Sequence, residues 1–195
     1  MQIGMKNSGN RASSGRRTRA GHWCAVAILA GMLSTGCSIK KMAVNAAGNA
    51  LAGGGTTFTS DDDPELIKAA LPFSLKLMES LLAESPRHQG LLFATASGFT
   101  QYSFAFVQED AEEIEAENLA RARELQARAR RLYWRARDYG LRGLEARHPG
   151  FTRRLKANPK AAVEPLRKAD VPLLYWSAVS WAVPSGGRWS GSPPG

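Results

Sequence analysis

Apolar positions recur with a helical period over most of this chain, and prolines punctuate them. Ile67, Ala70, Leu71, Ser74, Leu77, Met78, Leu81 and Leu82 follow the period of one helix face. Asp61-Asp62-Asp63, ahead of Pro64 and Glu65, offers an N-cap carboxylate, a first-turn proline and negative charge where free amides and the helix dipole favour them. The pattern predicts an end near Ser85, and Pro72 is expected to kink or divide this helix. Ser85-Pro86 restarts the pattern, predicting a second helix from about His88 to Val107. Leu91, Leu92, Phe93, Phe99, Tyr102, Phe104, Phe106 and Val107 are strand-like by propensity. Length decides for a helix, because no turn residue interrupts about 20 positions and strands rarely exceed about ten.

From Glu109 to Arg147 the helical signal is strongest. Glu117 and Arg121, Glu124 and Arg128, and Asp138 and Arg142 each stand four apart in the favourable order. Ile114, Ala129, Leu132, Tyr133, Ala136, Tyr139, Gly143 and Leu144 form the stripe expected to be buried, with a break near Asn118. His148-Pro149-Gly150 ends this helix, Asn158-Pro159 starts a short one, and Asp170-Val171-Pro172 starts another carrying Leu173, Leu174, Tyr175, Trp176, Val179 and Trp181. Leu81 to Pro86 and Leu144 to Pro149 both close an apolar helix on a proline, 63 residues apart, near two tetratricopeptide units of about 34 residues. The fold class expected is all-α, with stacked antiparallel helical hairpins of tetratricopeptide-repeat-like type.

The start of the chain reads as an address. A basic stretch to Arg19 precedes an apolar run from Trp23 to Leu33 and then Ser34-Thr35-Gly36-Cys37, the order of a secretory signal peptide. The run is about 11 residues, against roughly 20 for a membrane-spanning helix. A small residue directly before Cys37 resembles the bacterial lipobox, with Ser34 where Leu is commonest. The expected organisation is a lipoprotein signal peptide over 1–36 and a lipid anchor at Cys37 with a short helix and Gly-rich linker over 37–60. A helical repeat-like domain over 61–182 and a disordered or aberrant tail over 183–195 complete it. Loss of Cys24 with the signal and acylation of Cys37 would leave no free thiol and no disulfide. Ser38 after the cysteine favours the outer membrane, so the protein is expected in the bacterial envelope, facing the periplasm.

Charge changes that picture little. The formal net charge is +9, but the first 36 residues hold five basic groups and no acid, leaving 21 basic against 17 acidic residues. So small an excess gives no argument for nucleic acid, and Glu and Ala alternate with the arginines from Arg121 to Arg137 as on a solvated face. No metal site, cofactor or catalytic constellation is expected: His88 and His148 sit beside prolines at helix boundaries, and Asp61 to Asp63 are explained by capping. The candidate ligand or partner surface is aromatic and basic. Tyr102, Phe106, Tyr133, Trp134, Tyr139, Tyr175 and Trp176 combine apolar bodies with, in most, a polar tip, and Arg135 and Arg137 offer guanidinium groups to a carboxylate. For each aromatic residue the alternative is a place in the core.

Several stretches together resemble one family. Asp63-Pro64-Glu65-Leu66, Leu71-Pro72-Phe73-Ser74-Leu75-Lys76-Leu77, Glu79-Ser80-Leu81-Leu82, Ser97-Gly98-Phe99-Thr100-Gln101-Tyr102, Ala129 to Gly140 and Val171-Pro172-Leu173-Leu174-Tyr175-Trp176 look like the TRAP transporter T-component family, over about Lys41 to Ala182. The resemblance implies a tetratricopeptide-like periplasmic lipoprotein that partners the solute-binding receptor of a tripartite ATP-independent transporter. It also implies a homotrimer and a channel open to a small organic or hydrophobic ligand. The alternative is a general tetratricopeptide-like scaffold for envelope proteins. One departure is the tail: the family continues with further hairpins, whereas Val183 to Gly195 is rich in Gly, Pro and Ser, as expected of a truncated or frame-shifted end lacking a terminal cap.

Overall fold

The computed structural model describes Met1 and residues 41–53 and 60–185. The chain divides into two compact units, Met1–Met42 and Ala43–Gly195, and the fold below is that of the second. The signal peptide and Cys37 lie outside the described residues.

Its helices are α1 (41–53), α2 (Pro64–Glu84), α3 (Gln89–Ser103), α4 (Glu109–Glu113), α5 (Leu119–Arg147), α6 (Phe151–Ala157), α7 (Pro159–Val163) and α8 (Val171–Ser185). No strand occurs among the described residues. The expected caps do their work. The Asp63 carboxylate accepts from the amides of Glu65 and Leu66 at 3.1 and 3.0 Å, and the Asn118 side chain accepts from the Arg121 amide at 3.0 Å. His88 caps α3 by accepting from the Leu91 amide at 3.1 Å through Nδ1. Ser85 and His148 close α2 and α5. Pro72 does not divide α2, which runs through it as one element because Leu75, Met78 and Leu82 are buried along one face. A π-helical turn, Phe104–Gln108, joins α3 to α4 without a loop, so the helical run reaches past the expected Val107.

Helix α5 is the spine. It packs against α3 on one side and α8 on another, α2 covers α3, and α8 also touches α3. Three apolar clusters fill these contacts. Leu75, Phe99, Tyr102, Val107, Ala129, Tyr133 and Ala136 join α2, α3, the π turn and α5. Met78, Leu82, Leu91 and Leu92 form the second, with Leu51 of α1 against it. Leu144, Phe151, Ala162 and Leu173 anchor the segment from α6 to α8. Fully burying an aliphatic side chain of this size stabilises by roughly 1.5–3 kcal/mol, so these clusters dominate the folding energy.

Four details depart from expectation. Glu124 pairs with Arg121 at 2.7 Å and not with Arg128, which reaches instead for Tyr102, because a buried aromatic with a polar tip competes well with an exposed ion pair. Asp138 pairs with its neighbour Arg137 at 2.8 Å, while Arg142 lies over Tyr139. Helix α8 runs to Ser185, so Val183, Pro184 and Ser185 belong to the helical domain and not to a tail: Val183 packs on the first cluster and Pro184 is buried. Helix α6 was not anticipated in the sequence, where Phe151 is a lone aromatic before a basic stretch.

Candidate functional site

The candidate residues separate into an interior group and a surface group. Tyr102, Phe106, Tyr133 and Tyr139 all contribute to the cluster between α3 and α5. Tyr133 is fully buried, and its hydroxyl donates to Gln108 Oε1 at 2.8 Å, an acceptor placed there by the π turn. Burial pushes its phenol far up, helped by Glu109 and Glu112. Tyr102 packs against Phe106 with ring centres 5.8 Å apart, and the Arg128 guanidinium lies 5.7 Å from its ring centre and donates to its hydroxyl at 3.2 Å. Tyr139 stacks on Phe99 at 6.2 Å, and its hydroxyl donates to Glu79 at 2.8 Å. Burial raises the Tyr139 phenol, and the bond to the Glu79 carboxylate adds to the effect.

The surface group lies on α5 and α8. Arg135 is half exposed, but its Nε donates to Glu79 at 2.7 Å and its guanidinium sits 5.3 Å from the Phe99 ring centre. Arg137 binds Asp138 and approaches the Trp181 ring at 5.9 Å. Trp134 lines a shallow hollow of about 330 Å³ with Arg131, Arg135, Asp138, Tyr139 and Arg142. Tyr175 and Trp176 meet edge to face at 5.2 Å on α8, away from that hollow, with Tyr175 exposed. The structure therefore brings Trp134, Arg135 and Tyr139 together and leaves Tyr175 and Trp176 on a separate face.

Two carboxylates were missed in the sequence, and each pins helices together. Glu79 collects Lys76, Arg135 and Tyr139, at 2.6, 2.7 and 2.8 Å, linking α2 to α5. Asp170 is buried where α8 begins: it accepts from Arg147 at 2.9 Å, from the Arg167 amide at 2.9 Å, and contacts His148 Nε2 at 3.0 Å. The Arg167 amide is the main cause holding its carboxyl down at about 2, with Arg147 and His148 adding to it against the opposing cost of burial. Their only sequence signal was position: Glu79 stands five residues before the end of a capped helix and Asp170 stands before Val171-Pro172. A second hollow, about 670 Å³, lies between the end of α5 and the α2–α3 turn, lined by Pro86, Arg87, Leu141, Arg142 and Ala146 among others.

Among the described residues no group of His, Cys, Asp and Glu is placed to hold a metal ion, and no helix is long and apolar enough to cross a membrane. Helical hairpins with a filled core, polar pins between helices and open hollows on the outside define an all-helical, repeat-like fold. The chain belongs to the TRAP transporter T-component family, whose sequence profile matches residues 60–184. That is a family of transport components and not of enzymes. The chain is also 31% identical over 171 residues to an uncharacterized protein of Treponema pallidum (strain Nichols), covering 78% of this chain and 53% of that one. It thus spans about half the length of the curated relative it matches.

Proposed function

We propose that this chain serves a TRAP transport system as an envelope accessory component, held at the membrane by a lipid on Cys37 and binding the solute receptor through its helical surface. The observation that supports this is the extent of the family match, residues 60–184, which takes in the fold from the Asp63 cap to α8. The geometry favours a protein partner over an enclosed small ligand. Small-molecule sites cover most of a ligand's surface, whereas Tyr102 and Tyr133 here fill the core and the hollows outside are open. Of the candidate residues, Trp134, Arg135, Arg137, Tyr175 and Trp176 are the ones we assign to partner contact, and the trimer that the resemblance implies is part of the proposal.

The test is affinity capture with tagged chain from a host carrying a TRAP receptor, beside a Cys37→Ala variant, with light scattering for the oligomer. Recovery of the receptor by both forms, with the membrane fraction reached only by the form retaining Cys37, is the expected result. A receptor that stays in the flow-through of both would sink the proposal.

A further inference from the structure

The two hollows share Asp138 and Arg142, so they join into one groove along the exposed side of α5. From Arg131 to Ala146 the groove follows sixteen residues of helix, about 22 Å at the α-helical rise, the span of six or seven residues of extended peptide at about 3.3 Å each. Its floor is apolar and aromatic, with Trp134, Tyr139 and Leu141.

Its charges are one-sided in what they leave available. Asp138 is taken by Arg137 through bonds of 2.8 and 3.0 Å, and Glu145 is taken by the amides of Gly150 and Thr152. The cations are less committed. Arg131 is exposed and has no partner among the described residues. Arg142 rests over the Tyr139 ring at 5.0 Å with a long contact of 3.4 Å to the Pro86 carbonyl, and Arg87 donates to the Ala146 carbonyl at 3.2 Å. The groove therefore presents guanidinium groups above an apolar floor, with Asp138 ion-paired to Arg137 and the oxygens of the ionised Glu145 turned to backbone amides.

We propose that this groove is a docking site for an extended acidic segment of a partner protein, in which carboxylates meet Arg87, Arg131 and Arg142 and apolar side chains lie on Trp134 and Leu141. Guanidinium pairs with carboxylate through two parallel bonds and also stacks on aromatic rings, so three such groups above an apolar floor suit alternating acidic and apolar residues. A lipid surface is a poorer match, since it would meet a raised basic face and not a concave one. The inference rests on and refines the partner contact proposed above for Trp134 and Arg135, and the peptide test that follows does not require the transport receptor.

The probe is a dye-labelled eight-residue peptide of alternating Glu and Leu, with a Gln/Leu peptide as control, measured by fluorescence anisotropy on the full chain. The Glu/Leu peptide is expected to bind, to weaken as salt rises, and to lose at least tenfold in affinity in Arg131→Glu/Arg142→Glu. Lys160→Glu/Lys168→Glu, the same charge change on exposed lysines elsewhere, should leave affinity within about twofold. Far-ultraviolet circular dichroism checks that each variant is folded, and the milder Arg131→Gln/Arg142→Gln pair replaces any that is not. Equal loss in both double variants would show general charge attraction and overturn the proposal. So would an absence of peptide binding, saturation by succinate at the same concentration, or binding only to phosphatidylglycerol vesicles.

Discussion

Helix α5 is held on two sides by different means. Toward α3 the contact is made of large side chains: Phe99, Tyr102, Tyr133 and Tyr139 fill the space, and the tyrosine hydroxyls find Gln108, Arg128 and Glu79. Toward α8 the contact is made of small ones. At Gly140 a methyl group would collide with the Ser177 hydroxyl and lie 3.1 Å from its Cβ and 3.3 Å from its Cα, while one at Gly143 would run into Leu173. Ser180 of α8 also bonds Thr100 of α3 at 2.6 Å, and Asp170 fixes the start of α8. A contact between long side chains can repack when one is altered, whereas a close approach of backbones cannot.

The largest expected effect tests that difference directly. Gly140→Ala should cost about 2–3 kcal/mol, because the new methyl meets the Ser177 Cβ and backbone Cα and forces α5 from α8. Gly98→Ala is the comparison case between α3 and α2, in the same apolar cluster that α5 joins, where the added methyl meets only the end of the Leu75 side chain, at 2.8 Å. Rotation of Leu75 and the better helix propensity of alanine should keep that change within about 1 kcal/mol. Urea denaturation of both variants measures this, and equal losses would break the comparison.

Next come the two carboxylates. Asp170→Ala should destabilise by about 2–3 kcal/mol, since it frees the Arg167 amide and leaves Arg147 and His148 facing a buried gap. Glu79→Gln should cost only about 1 kcal/mol. Its partners Arg135 and Lys76 are well exposed and can turn to water, and the amide oxygen still accepts from Tyr139. Thermal melting of the pair ranks them, and a larger loss at Glu79 would reverse the picture of a firmly pinned α8.

How much of this was legible in the sequence differs between the two sides in the same way. The α3 side announces itself through period and size: Ala129, Tyr133 and Ala136 were readable as part of the buried stripe, and the Asp63, Asn118 and His88 positions as helix boundaries. The α8 side does so only in part, through Gly143 and Leu144 of the same stripe. Gly140 reads locally as a weak point in a helix, and only the partner helix shows that it marks a crossing. The candidate aromatics followed this rule too: residue type singled out Tyr102 and Tyr133, but depth depends on which neighbour covers them, and that is a tertiary fact. Arg87 and Arg131 went unnoticed as groove residues because nothing local separates an arginine with a partner from one without.

The smallest effect sharpens the comparison through pH, because the two sides carry opposite titrations. Asp170 has its carboxyl lowered from 3.8 to about 2 in the fold, so its contribution is complete above 3.8 and is lost as pH falls toward 2. Tyr133 and Tyr139 have phenols raised above 10.0, so folding favours their protonated forms. That contribution is complete below 10.0 and is lost as pH climbs above it. Urea midpoints followed from pH 2 to pH 11 should therefore fall at both ends, each through a different junction. Asp170→Asn should flatten the acid arm while leaving the alkaline one, and Tyr133→Phe should do the reverse. If either substitution flattened both arms, the junctions would be one cooperative unit, and the division between a side-chain contact and a backbone contact on α5 would have no energetic meaning.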